Sequence, residues 1–250
     1  MAEFASPLRT LAMLELVALV SLFNVMVWIL APMASSQAGA LIYLGLMLGL
    51  ATHVTLLSPR LYPISLNSNS GLAPMRGGFL RGDTWRAGAP AYLLAIVAGC
   101  GAIFVAGRVG GVSKMESGID DIVIKFARYL FFASVQVYVY FEFLRPRLML
   151  TLGTRASPLA VALSLAGLFM IAHAPNPYLM LATPIAGFVW ALLYASFPNY
   201  FWVVLSHAIL GTCVQIMTLW PTRTGAAFWN PDFFAFRTAL KQLLSLVMNP

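Results

Sequence analysis

Charge is scarce in this chain: 15 Lys and Arg and 8 Asp and Glu among 250 residues. Soluble domains carry about a quarter charged residues, so 9% cannot solvate the surface of one. Cysteine is equally sparse. Cys100 and Cys213 both lie in apolar runs, which excludes a disulfide framework and a cysteine-based metal site. No internal repeat and no low-complexity tract appears. No signal-peptide pattern is read at the N-terminus, because the run after Arg9 is too long for a leader core and lacks a following small-residue cleavage site. That run reads as a first, retained span.

What is present is hydrophobic sequence, 60% of the chain, with a mean hydropathy of +0.84. The expected fold is all-α: a polytopic transmembrane helix bundle of about seven spans in one integral membrane domain over residues 1–250. The spans read as Leu11–Ala31, Gly39–Leu57, Ala91–Ala106, Ile119–Leu152, Pro158–Ala174, Tyr178–Ala195 and Tyr200–Leu219. A C-terminal amphipathic helix follows over 232–248, with Phe233, Phe236, Leu240, Leu243, Leu244 and Val247 opposite Arg237, Lys241 and Ser245. It suits a bilayer surface or a docking partner.

The net charge of +7 lies in loops and flanks, as membrane insertion requires, and carries no indication of nucleic acid. The expected location is a multi-pass position in a membrane, the bacterial inner membrane, with lipids as the first partner. The hydrophilic stretch 58–90 holds Arg60, Arg76, Arg81 and Arg86. It reads as a cytoplasmic loop that binds lipid headgroups or gates a substrate. Gly45-x-x-x-Gly49 permits close helix contact, within the chain or in a homo- or hetero-oligomeric complex.

Against this apolar background the ionisable residues stand out, since each costs several kcal/mol at hydrocarbon depth. Glu15, near the end of its span, reads as a snorkelling or helix-pairing residue, and His53 as hydrogen-bonded packing. Glu142 belongs to a stripe with Ser134, Tyr138 and Arg145, ahead of a kink expected at Pro146. His173 ends one span before Pro175, and His207 lies inside another. A carboxylate with two imidazoles can take and return a proton near neutral pH. The same three residues form a zinc ligand set, or could hydrogen-bond to one another and fix packing.

Phe169-Met170-Ile171-Ala172-His173 is a complete Phe-x-x-x-His motif, and Glu142-Phe143-Leu144-Arg145-Pro146-Arg147 has the outline of Glu-Glu-x-x-x-Arg. With Ser206-His207 on a later helix, residues 120–215 resemble the core of the CPBP or Abi family of intramembrane endopeptidases. That family includes the CAAX prenyl proteases and bacteriocin-processing proteins. Phe143 replaces the second Glu, Leu148 the usual following Gly, and Gly211 the Asn or Asp of the last motif.

The resemblance implies that the three helices meet at a water-filled cavity. Glu142 would activate water with help from His173, and His207 would serve the oxyanion. Phe169, Tyr138, Arg145 and Arg147 would support them, and the substrate would be a peptide or membrane protein. Thr212 or Gln215 could stand in for the group missing at Gly211. The departures leave a second expectation open: a catalytically impaired scaffold or accessory subunit of a membrane complex.

Overall fold

The structure is a computed structural model that describes residues 2–61, 82–109, 118–153, 157–229, 239–242 and 244–245. These residues form seven continuous helical rods, a short 3₁₀ turn and a C-terminal helical piece, all-α throughout. The rods are α1 (2–33), α2 (37–61), α3 (Gly82–Val109), α4 (119–152), α5 (Pro158–Ala172), α6 (Pro177–Ser196) and α7 (Tyr200–Met217). Among the described residues, six helices are long and apolar enough to cross a membrane, as in an integral multi-pass protein. Their outward faces carry large apolar side chains such as Leu48, Leu94 and Leu181.

The exception is α5. At 15 residues it rises only about 22 Å, short of a hydrocarbon core of about 30 Å. Its ends are set by local chemistry. Ser157 caps it by accepting the Ala160 amide, with Pro158 in the first turn. At the other end, Pro175 and Pro177 stop continuation two residues earlier than the apolar run suggests.

Prolines also shape the longer rods. Met26–Leu30, His53–Leu57 and Tyr138–Leu144 are π-helical, and each precedes the same pattern: Leu30-Ala31-Pro32, Leu57-Ser58-Pro59 and Leu144-Arg145-Pro146. A proline ring crowds the carbonyl four residues back and offers it no amide. The residue before each proline bonds instead five back: Ala31 to Met26, Ser58 to His53, Arg145 to Tyr140. Widening the turn makes room for the ring without breaking the rod. The kink expected beyond Glu142 therefore takes the form of a π segment that includes Glu142. Pro184, within two turns of the start of α6, is carried without one.

Packing places α5 and α6 in a close hairpin, α7 against α3 and the first half of α4, and α1 against the end of α4. Val137, Phe143, Leu165 and Val203 form the dry centre, and Tyr92 is fully buried beside them. Buried Asn176 and Asn199 cap α6 and α7. Asn176 also donates to the carbonyls of Pro221 and Arg223, and Gly225 N–H bonds Ala174 O at 2.7 Å. The strap after α7 is thereby tied across the α5–α6 turn that carries His173.

Gly45 and Gly49 have open space before them, so the Gly-x-x-x-Gly face has no close neighbour among the described residues. Arg76 and Arg81, and most of the expected 232–248 helix, lie outside those residues. Of that helix, 239–242 and 244–245 are helical. Ala239 is buried against Ala34 and Ala40, and Gln242 Nε2 donates to Ser35 O at 2.9 Å. This portion docks on the α1–α2 turn.

Cys100 on α3 and Cys213 on α7 bring their sulfurs to 3.4 Å as free thiols. Copper–phenanthroline oxidation should therefore join them within one molecule, read as a 2 Da mass loss and protection from alkylation. Full alkylation of both thiols after oxidation would place α3 and α7 apart.

Candidate functional site

His173 is held by the turn it terminates. Its amide closes on Met170 O at 3.0 Å, and its ring Nδ1 lies 2.7 Å from Phe169 O, a carbonyl in the last turn of α5. A carbonyl only accepts, so Nδ1 carries the proton and Nε2 of the neutral ring is left as the acceptor. The Phe169 side chain stands edge-on to both imidazoles, 4.7 Å from His173 and 5.7 Å from His207 between ring centres. Gly187 on α6 makes this possible, since a Cβ there would press within 3.0 Å of the Phe169 ring.

His207 projects from α7 onto Trp190 of α6, with ring centres 4.8 Å apart. It lines a narrow apolar cleft, with room for about one water, whose walls include Tyr140, Phe141, Phe169 and Trp190. Phe-x-x-x-His and the second histidine thus come together, with Phe169 as the wedge between them.

Glu142 is placed differently. It is not a lining residue of the cleft; its Oε1 accepts from Tyr194 OH at 2.5 Å. Arg145 lies over the Tyr194 ring, 5.5 Å from its centre, and within electrostatic reach of Glu142. Tyr138 is also within electrostatic reach of Glu142. Trp190 and Tyr194 are four residues apart on one stripe of α6, about 6 Å along the axis. The histidine pair and the glutamate therefore occupy successive levels of the same wall.

Two expectations need correction. Among the described residues no three His, Cys, Asp or Glu side chains gather closely enough to hold a metal ion. The zinc set of Glu142, His173 and His207 is not assembled, because Tyr194 holds the carboxylate at its own level. Arg147 does not support that site either. It turns to α1, where its Nε donates to Glu15 Oε2 at 3.0 Å, while Nη1 donates to Phe143 O and Nη2 to Ser58 Oγ. Ser58 donates to Glu15 Oε1 at 2.6 Å, and His53 Nε2 lies 3.1 Å from the same oxygen. Glu15, Ser58 and Arg147 are buried. Together they make a second polar knot that joins α1, α2 and α4.

This knot accounts for Phe143. Positions 143 and 147 are neighbours on a helix, so a Glu at 143 would face Arg147. Here the Phe143 ring lies under the guanidinium, 4.0 Å from ring centre to Cζ, and Glu15 supplies the carboxylate from another helix. Of its members, Glu15 and His53 were legible as polar residues in apolar spans. Nothing in the sequence marked Ser58 as their partner, or Tyr194 as the partner of Glu142.

Gly211 has an equally local cause. A Cβ there would lie 2.3 Å from the Tyr129 ring, so Tyr129 fills the place an Asn or Asp side chain would need. Neither proposed substitute is available. Thr212 is buried and donates to Ala208 O at 2.7 Å. Gln215 accepts from Arg128, donates to Thr222 and bonds the Tyr129 hydroxyl. Gly211→Asn should destabilise the fold by about 1–3 kcal/mol by overpacking. Adding Tyr129→Ala should recover much of the loss in thermal unfolding; no recovery would mean that the ring is not the obstacle.

No protein-family model, no curated protein and no solved structure matches this chain.

Proposed function

We propose that the chain is an intramembrane endopeptidase of the CPBP-like kind, with α5 as a seventh, shorter membrane element and residues 120–215 as its core. Glu142 serves as the base that activates water, oriented by Tyr194 and by the charge of Arg145. His173, with Nε2 left as acceptor, assists, and His207 faces the substrate oxygen from the cleft. What supports the reading above all is the shared α6 wall. Trp190 seats the imidazole of His207, Tyr194 seats the carboxylate one turn on, and Phe169 wedges the two imidazoles together.

The chemistry uses only the chain's own groups. Water attacks the scissile carbonyl as Glu142 takes its proton, and an N–H of His207 stabilises the developing oxyanion. The same carboxyl then returns the proton to the leaving amine. Before this, Glu142 must exchange its bond with Tyr194 for one with water; a phenol within hydrogen-bond distance can hold the carboxylate until substrate arrives. Comparing N-terminal peptides from membranes that contain the wild-type chain or Glu142→Gln tests the proposal. Termini that depend on the protein should disappear with the glutamine.

One observation favours a scaffold instead: Tyr194 and Tyr129 occupy the positions around Glu142 and Gly211 from which catalytic groups would act. A scaffold would retain its bound partners, and its biological effect, in Glu142→Gln and in both histidine variants.

A further inference from the structure

An arginine in an apolar bundle needs a counter-charge. Arg147 has Glu15, and Arg145 lies within electrostatic reach of Glu142. Arg128, in the third turn of α4, has no carboxylate partner among the described residues. Its side chain makes one hydrogen bond there, from Nη2 to Gln215 Oε1 at 2.9 Å. The nearest acids on its own helix do not serve it. Asp121 pairs with Lys125 at 2.5 Å, and Asp120 stands about 12 Å away along the axis. Arg128 is nevertheless exposed, on the outward stripe of α4 that carries Ile124, Phe131, Phe132 and Val135, all exposed as well.

Three features fix its depth. Gln215 holds it at the end of α7, where the non-helical strap begins at Thr218, and such backbone does not lie exposed in hydrocarbon. Tyr178 and Trp220 stack beside that strap, with ring centres 5.3 Å apart, as aromatic residues gather at a membrane surface. Arg145 follows on the same helix after about 25 Å, near the hydrocarbon thickness of about 30 Å. Between the two arginines Glu142 is the only Asp, Glu, Lys or Arg. Arg128 therefore stands at the level of the headgroup phosphates.

The guanidinium is also pre-oriented. Gln215 is itself held by Thr222, to which Nε2 donates at 3.1 Å, and by the Tyr129 hydroxyl. With one N–H committed to Gln215, the rest of the flat fork matches two phosphate oxygens. Arg223 follows Thr222 on the strap, exposed and without an acidic partner among the described residues. Thr222 and Gln215 thus link two unpaired cations at one corner of the bundle.

We infer that Arg128 and Arg223 form a binding site for the phosphate of an anionic phospholipid, whose acyl chains lie along Phe131 and Val135. Charge complementarity and the apolar stripe decide the occupant together. A free anion would use the cations alone, and a zwitterionic headgroup brings a cation of its own to two arginines. The site stands apart from the peptidase chemistry and does not depend on it.

Native mass spectrometry of delipidated protein, titrated with phosphatidylglycerol or with phosphatidylcholine of the same chains, tests the site. Phosphatidylglycerol should bind about fivefold or more tightly, the worth of one arginine at an anionic surface. Arg128→Gln should abolish that preference, and Arg128→Lys, which keeps the charge and loses the fork, should retain part of it. Lys125→Gln should bind as wild type does, since Asp121 already neutralises Lys125. Phosphatidylglycerol should raise the thermal midpoint of wild type but not of Arg128→Gln, while their lipid-free midpoints agree. Equal binding of the two lipids by wild type, or an unchanged preference in Arg128→Gln, overturns the inference. So does an equal loss in Lys125→Gln, which would make the attraction one of net charge alone. Displacement of the lipid by inorganic phosphate would reassign the site to a free anion. A lipid-free midpoint lowered in both Arg128 variants would make the residue a packing element and overturn the inference as well.

Discussion

Glu15→Ala should destabilise the protein by about 3–5 kcal/mol, the largest stability effect expected of any single substitution outside the apolar core. Three donors converge on that carboxylate: the Arg147 guanidinium, the Ser58 hydroxyl and the His53 ring. Glu15 is 7% exposed and Arg147 5%, so its removal leaves a guanidinium buried without its counter-charge. Surface ion pairs are worth far less, because water replaces the lost partner; here it has little access. Glu15→Gln should fall between, since it keeps an acceptor and loses the charge. Replacing both partners, as Glu15→Leu with Arg147→Met, should recover much of the loss. Thermal or denaturant unfolding in nanodiscs reads all three against wild type. If Glu15→Ala stays within about 0.5 kcal/mol of wild type, α1 and α4 are not held by this knot.

The second large effect concerns chemistry. Glu142→Gln keeps the shape and an acceptor for Tyr194 but cannot take a proton. Its loss should reduce cleavage by at least about 10²-fold and up to about 10⁴-fold, the range of general-base catalysis. His207→Ala should cost about 10²–10³-fold if it removes one oxyanion donor. The double variant should be little worse than the poorer single one, because groups acting in one step are not additive. Protein levels in the membrane must match across the series, since neither substitution touches the Glu15 knot. A reduction that follows protein abundance would assign these residues to folding instead.

Much of the architecture was legible because lipid imposes simple rules. A continuous apolar run about 20 residues long has few alternatives to a spanning helix, and six of the expected spans are helices of that kind. Pro175 and Pro177 correctly stop α5, yet the resulting helix is shorter than a span. The π segments were not foreseen. A lone proline predicts a kink, whereas the recurrence of Leu-x-Pro in three rods becomes meaningful only once their hydrogen bonds are known.

The candidate site divides along similar lines. Phe169, His173 and His207 lie together, with the Phe169 ring edge-on to both imidazoles. Arg147 could not be assigned from sequence, because its partner Glu15 lies 132 residues away while Glu142 stands nearby in the chain. Tyr129 explains Gly211 through a packing contact between α4 and α7 that no motif encodes.

The most direct measurement pairs purified wild-type and Glu142→Gln protein, at equal amounts in liposomes, with a membrane substrate identified from protein-dependent N-termini. New N-termini should accumulate with the wild type and stay at background with the glutamine, while both proteins show the same thermal midpoint. Equal accumulation from the two would remove Glu142 from the chemistry, and with it the endopeptidase.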